Sequence, residues 1–165
     1  MNERAKSPDL RLRLATNVDA ETISRLINDA FRPKRFFTDE DRTNPEEVRD
    51  LLTKGEFLLA ADDAALAGCV YLERRGERCY LGLLCVAPTR QRAGLGAWLM
   101  AVAEDRCRAA GMRGIDLQFV NLRKELPGYY RRLGYIESGT APFPAHVKIN
   151  QPCHFIKMSK DLSKP

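Results

Sequence analysis

The sequence has no long apolar run, only two histidines and no paired cysteine motif, and each shortage removes a class of protein. Its longest nearly apolar stretch, Ala64 to Leu72, falls far short of the roughly 20 residues that a membrane helix needs. Met1-Asn2-Glu3-Arg4 opens no apolar signal core, so the expectation is a soluble, cytoplasmic protein with no membrane partner. The five cysteines (Cys69, Cys79, Cys85, Cys107, Cys153) are odd in number and include no C-x-x-C pair, which favours reduced thiols. With only His146 and His154, a zinc site would need carboxylates or Cys153. Cys153 adjoins His154, and neighbours along a strand point to opposite faces, so no metal is expected. No repeat, low-complexity tract or Pro/Gly/Ser linker divides the chain.

What is present is ordinary for one compact unit: 165 residues, 44% hydrophobic and 30% charged, enough for a single buried core. Residues 1–8 read as a polar tail and 9–162 as one domain. The net charge of +5 has a location. Between Arg90 and Arg132 nine Lys or Arg face four acids, so that segment alone carries the whole excess. A local positive field suits a polyanion such as a nucleotide phosphate or nucleic acid, but solvated helix faces carry such charge without any partner.

Periodicity supplies the elements. Leu10-Arg-Leu-Arg-Leu14 alternates as a strand, and Asn17 or Asp19 can cap a helix whose apolar positions Ile23, Leu26, Ile27 and Ala30 run to Phe31. Arg32 to Thr43 reads as a loop rather than core. Asn44-Pro45-Glu46-Glu47 starts a short helix to about Leu52. Strands follow over Phe57–Ala61, Leu66–Glu73 and Tyr80–Val86, forming an antiparallel meander. A helix from Gly94 to a C-cap at Gly111 then leads by a right-handed crossover to Ile115–Val120, which should run parallel to Tyr80–Val86. A short helix Leu126–Leu133 and strands Tyr135–Ser138 and His154–Met158 complete the chain.

The segment richest in chemistry is Leu83 to Met100, a strand entering a proline-marked turn and a glycine-bearing helix start. Gln91-x-x-Gly94-x-Gly96 places small residues where helix N-terminal amides are unpaired and can close on an anion. On spacing alone, Gly94 and Gly96 serve equally to permit the turn and close helix–sheet packing. The segment lacks the G-K-[ST] of a P-loop, and also the first glycine and later acid of a dinucleotide fingerprint.

Three ordered motifs between Tyr80 and Tyr135 resemble the GNAT superfamily of N-acetyltransferases: Leu84-Cys85-Val86-Ala87-Pro88, Gln91-Arg92-Ala93-Gly94-Leu95-Gly96, and Tyr130-Arg131-Arg132-Leu133-Gly134-Tyr135. The resemblance implies an α/β (α+β) fold, a mixed and mostly antiparallel sheet of six to seven strands flanked by helices, with a splayed parallel pair at its centre. It also implies acetyl-CoA as acyl donor and an amine of a small molecule or peptide as acceptor. The pyrophosphate would lie on the amides of Gln91, Arg92, Ala93, Gly94, Leu95, Gly96 and Ala97, with Arg90 and Arg92 adding charge. The pantetheine arm would pair with Leu84, Cys85 and Val86 like an added strand, beside a bulge, and the Leu84 amide would face the acetyl carbonyl.

By the same resemblance Asn121 would hydrogen-bond the amide arm, its alternative being a turn former. Tyr130 would be the general acid that protonates the leaving thiolate, its alternative being a core aromatic beside Tyr129, Leu133 and Tyr135. No carboxylate lies in Tyr80–Val86, which leaves Glu73, His154 or water to take the amine proton. The acceptor pocket is expected between the first helices, the loop bearing Phe36, Phe37, Asp39, Asp41 and Arg42, and the Thr140–Gln151 connection bearing Phe143, His146 and Lys148. Transfer is expected to be direct within a ternary complex, with Cys85 an inert buried thiol. A noncatalytic acyl-CoA-binding regulator would not need Tyr130, and no helix-turn-helix, zinc-finger or RNP pattern supports a nucleic-acid module. The family often pairs through its later strands, so a homodimer is a weak expectation.

Overall fold

The computed structural model describes residues 10–91 and 94–163. Seven strands form one sheet: β1 (Arg11–Leu14), β2 (Glu56–Ala61), β3 (Leu66–Arg75), β4 (Arg78–Val86), β5 (Gly114–Val120), β6 (Ile136–Pro142) and β7 (His154–Asp161). The helices are α1 (Ala20–Phe31), α2 (Pro45–Lys54), α3 (Leu95–Ala109) and α4 (Leu126–Arg132). The sheet order is β1-β2-β3-β4-β5-β7-β6, antiparallel throughout except for the parallel pair β4/β5. The mixed sheet and parallel centre match the expected architecture.

Both faces of the sheet are covered, and β2 shows why its sequence is apolar at consecutive positions. Phe57 and Leu59 pack with Ile23 and Ile27 of α1 and Val48 of α2, whereas Leu58 and Ala60 join Leu99 and Ala103 of α3 on the other side. Asn44 caps α2 as its sequence predicts, its side-chain oxygen accepting the Glu47 amide at 2.9 Å. Ahead of α1 the chain makes a 3-10 turn, Asn17–Asp19, in which Asp19 accepts the Thr16 amide at 2.8 Å and pairs with Arg13. β1 is an edge strand that leaves Leu12 and Leu14 exposed.

The Arg32–Thr43 segment corrects one expectation. It is irregular, but Phe37 is 1% exposed and belongs to the interior. Its ring meets Phe143 edge-on at 5.7 Å, and its carbonyl accepts the Asn150 amide at 2.8 Å. The covering partner lies far along the chain, beyond the reach of local pattern. β6 and β7 run past their expected ends because each pairs over that extra length with an antiparallel neighbour.

Candidate active site

The parallel pairing of β4 and β5 lasts for three residue pairs, Arg78↔Gly114, Cys79↔Ile115 and Tyr80↔Asp116. Beyond Tyr80 the two strands part, while β5 stays paired on its far edge with β7 out to Val120↔Phe155. At the same level β4 bulges. Between Cys69↔Cys85 and Tyr71↔Gly82, β4 advances one residue more than β3, and Leu83 takes φ +52°, the one positive value at a non-glycine position among the described residues. The Leu83 carbonyl accepts from the Cys69 thiol at 3.6 Å. The bulge gives β4 neighbours on both faces: Leu83 packs toward α1 and α2, and Leu84 and Val86 toward α3. Nothing local in the sequence marks Leu83 for this conformation.

At the mouth of this opening stands α3. Gly94 precedes it at φ +76°, a conformation that costs a side-chain-bearing residue about 1 kcal/mol or more. The helical ladder begins with Trp98 N–H donating to Gly94 at 3.1 Å, so the amides of Leu95, Gly96 and Ala97 precede it. A Cβ on Gly96 would stand 3.5 Å from the Tyr129 hydroxyl and 3.8 Å from Val86 Cγ2, at ordinary contact distance. The protein's own packing therefore does not demand glycine there, whereas a ligand seated between α3, α4 and β4 would. Arg92 and Ala93 lie outside the described residues. Arg90 is committed to Asp62, whose carboxyl it pushes down to about 2, and the Gln91 side chain donates to the Val86 carbonyl at 3.2 Å.

Across the opening α4 presents Tyr130, 8% exposed and stacked on Phe119 of β5 at 5.6 Å, with Tyr129 and Tyr135 edge-on at 5.1 and 5.8 Å. Burial, with Tyr129 nearby, raises its phenol well above the ordinary value, so it stays protonated at neutral pH. Asn121 closes the end of β5. Its amide donates to the His154 carbonyl and its side-chain oxygen accepts the His154 amide, both at 2.9 Å. That side chain supports the β5/β7 ladder, and its Nδ2 has no partner among the described residues. Cys85 is buried, with its sulfur 3.6 Å from that of Cys69.

On the α1/α2 face a cavity of about 260 Å³ reaches Leu83 and Tyr80 and includes Tyr71, Glu73, Arg42 and Arg75 in its wall. Burial pushes the Glu73 carboxyl upward, but hydrogen bonds from Arg75 at 2.5 Å and from Tyr71 at 2.8 Å prevail and hold it below its ordinary range. Glu73 is thus an anchored carboxylate and a weak base. His154 lines neither this cavity nor a second one, of about 350 Å³, beside the end of α1. The irregular segment meets the β6–β7 connection through Thr38 Oγ1 donating to the Lys148 carbonyl at 2.6 Å and Asn150 Nδ2 to the Phe36 carbonyl at 2.9 Å. Phe36, Asp39, Asp41 and Arg42 line the larger cavity; Phe143, His146 and Lys148 do not. Nothing in the sequence places Tyr80 on the wall of the smaller cavity or Arg35 on that of the larger, because a tyrosine in a strand and an arginine in a loop carry no distinguishing pattern.

The basic middle segment is largely neutralised. Arg90, Arg106, Arg108, Arg113, Arg123 and Arg131 pair with Asp62, Glu56, Asp105, Glu77, Glu125 and Glu137. Among the described residues no three His, Cys, Asp or Glu gather as a metal site, and no helix is long and apolar enough to cross a membrane.

A search of curated protein sequences finds no match. Solved structures do resemble the chain. The ribosomal-protein-S18-alanine N-acetyltransferase from Escherichia coli superposes with a TM-score of 0.78 at 14% identity, covering 94% of this chain and 96% of its own. A protein described as a GNAT-family acetyltransferase from Desulfovibrio desulfuricans gives 0.73 at 21% identity, covering 93% and 99%. An acetyltransferase from Salmonella typhimurium, solved with its cofactor acetyl-CoA, gives 0.71 at 18% identity, covering 95% and 96%. At these identities the likeness speaks to the fold. The family model "Acetyltransferase (GNAT) domain" matches residues 27–162, nearly the whole folded chain. With the divided β4/β5 pair and the exposed start of α3 already in view, that match makes the chain a member of the GNAT superfamily of N-acetyltransferases, enzymes that use acetyl-CoA as donor.

Proposed function

We propose that the enzyme moves an acetyl group from acetyl-CoA directly to an amine of a small molecule or peptide within a ternary complex. The observations that support this reading are the parting of β4 from β5 after Tyr80, the bulge in β4, the unpaired first amides of α3 and the buried Tyr130 stacked on Phe119 of β5. The amides of Leu95, Gly96 and Ala97 face an anion with the favourable end of the helix dipole, and the Gly96 position leaves room for close approach. Leu84, Cys85 and Val86 offer the β5-facing edge of β4 to an extended arm, as a strand edge receives a peptide. The Nδ2 of Asn121, without a partner among the described residues, is the donor toward that arm's amide.

The Leu84 amide, released from regular pairing by the bulge, supports the acyl oxygen as negative charge develops on it. The acceptor nitrogen bonds to the acyl carbon, the carbon–sulfur bond breaks with its electron pair going to sulfur, and Tyr130 donates its proton there. The proton from the amine leaves through water, since Glu73 is held ionised by Arg75 and Tyr71 and is too weak a base. Cys85 takes no covalent part. Thiol release from acetyl-CoA against a broad amine and peptide panel tests the proposal. Rates dependent on an acceptor are expected; failure to bind acetyl-CoA in calorimetry would end it.

A further inference from the structure

Tyr80 occupies the last position at which β4 and β5 pair, opposite Asp116, so it stands where the opening begins. Its ring runs along the strand. A Cβ on Gly82 would lie 2.9 Å from the ring's Cε1 and 3.1 Å from its hydroxyl oxygen, which places the end of the ring beside Gly82, next to the bulge at Leu83. A side chain at residue 82 would push the ring off that line. Arg75 covers the ring with its guanidinium 4.1 Å from the centroid, and Glu73 accepts from Arg75 at 2.5 Å. A glycine and a paired cation thus fix where the ring lies.

The hydroxyl is the part that the fold leaves unused. It makes no hydrogen bond among the described residues, whereas the neighbouring Tyr71 hydroxyl is engaged by Glu73 at 2.8 Å and by the Leu51 carbonyl at 3.0 Å. The Tyr80 oxygen is not sealed in either, because the one buried side-chain polar atom without a partner among the described residues is Arg35 Nε. It therefore opens toward the cavity of about 260 Å³ whose wall Tyr80 shares with Leu83. Burial raises the phenol above its ordinary value against the opposing influence of Arg42 and Arg75, so the group is neutral at neutral pH. A neutral hydroxyl oxygen has lone pairs to offer a donor. Along β4 it stands two residues before the Leu84 amide.

We propose that the Tyr80 hydroxyl positions the acceptor: its oxygen accepts an N–H of the substrate's amine and turns the nitrogen lone pair toward the acyl carbon at the Leu84 amide. No proton passes to Tyr80. As the nitrogen–carbon bond forms, the nitrogen gains positive charge and its N–H becomes a stronger donor, so the contact tightens on the way to the transition state. This role rests on the transferase reading above, and its test includes an arm without turnover.

Tyr80→Phe removes the oxygen and keeps the ring beside Gly82 and Arg75. With the best amine of the panel, kcat/KM for the acceptor should fall about 10–50-fold, the worth of a hydrogen bond to a group acquiring charge, and the loss should be felt in kcat as well as KM. Acetyl-CoA affinity in calorimetry and the melting temperature should stay at their wild-type values, which a merely structural tyrosine would not allow. In the arm without turnover, the tyrosine Cζ atoms are isotope-labelled for NMR and the enzyme is loaded with CoA in place of acetyl-CoA. Adding the amine should move the Tyr80 signal, assigned by its absence from Tyr80→Phe, and leave that of Tyr71 in place. Wild-type kcat/KM in Tyr80→Phe, a loss matched by an equal loss of acetyl-CoA affinity, or an unmoved Tyr80 signal would each overturn the proposal and leave acetyl transfer standing. Failure of the wild type to bind acetyl-CoA would instead end the transferase reading, and the role of Tyr80 with it.

Discussion

The Tyr135 hydroxyl donates to the buried Glu104 carboxylate at 3.1 Å, which ties the turn after α4 to the middle of α3. Lys160 of β7 completes the knot, donating to Glu104 at 3.0 and 3.1 Å and to the Leu133 carbonyl at 2.8 Å. This network holds α4, and Tyr130 on it, against the sheet. Lys160→Met would leave the buried Glu104 with Arg108, at 4.0 Å, as its cationic partner and should destabilise the fold by about 2–3 kcal/mol in urea unfolding, whereas Tyr135→Phe should cost about 1–2 kcal/mol.

Tyr130→Phe should lower kcat by about 10²–10³-fold, the range of a lost general acid, with the calorimetric affinity for acetyl-CoA little changed. Because burial raises the Tyr130 phenol above its ordinary value near 10, its ionisation should not limit the wild-type rate below that pH. The pH–rate profile should therefore rise toward alkaline pH as the acceptor amine loses its proton. An alkaline decline beginning near pH 8 would contradict this assignment of Tyr130.

Gly96→Ala should weaken acetyl-CoA binding while shifting stability by no more than about 1 kcal/mol, since the added Cβ meets the Tyr129 hydroxyl and Val86 at ordinary contact distances of 3.5 and 3.8 Å. Gly94→Ala should act differently. It strains a left-handed residue and should cost stability by about 1–2 kcal/mol as well as affinity. Thermal melts and calorimetry on the two variants separate the effects.

Cys85→Ala should retain most turnover, with a loss of stability of about 1 kcal/mol from the space left beside Cys69. Trapping an acetylated Cys85 by mass spectrometry of the intact chain would overturn direct transfer.

Asp116 accepts from both Nε and Nη2 of Arg78 at 2.9 Å and from the Ser159 hydroxyl at 2.6 Å, and these bonds, that from Arg78 foremost, lower its carboxyl below the ordinary value. A lowered folded-state value means stability that is present above the unfolded value near 3.9 and is lost as pH falls below it. Between pH 5 and 2, Asp116→Asn should flatten the acid decline of unfolding free energy relative to wild type. Parallel declines would refute the role of this pair.

Much of the fold was legible because period and punctuation are local properties. The 3.6 spacing of Ile23, Leu26, Ile27 and Ala30, the Asn44-Pro45 start and the left-handed Gly111 each report on a few consecutive residues, and the corresponding elements stand within a few residues of where the sequence places them. The burial of Phe37 was not legible, since Phe143 and Asn150 create it from the other end of the chain. The arginine-rich stretch from Arg90 to Arg132 likewise looks in sequence like an open field for a polyanion. Its partners Glu56, Asp62, Glu77 and Glu137 lie outside it and come alongside only in the folded molecule.

The sequence by itself determined the order of strands and helices, the glycines at the start of α3 and the motifs that mark the superfamily, because each of these is written in residues that are neighbours along the chain. Tertiary structure alone decided that Leu83 takes a left-handed turn, that β4 and β5 part after Tyr80, and that Phe37 is covered by Phe143. Such features depend on which backbone edges find partners and which side chains meet across the fold, quantities that packing in three dimensions sets and local sequence does not encode.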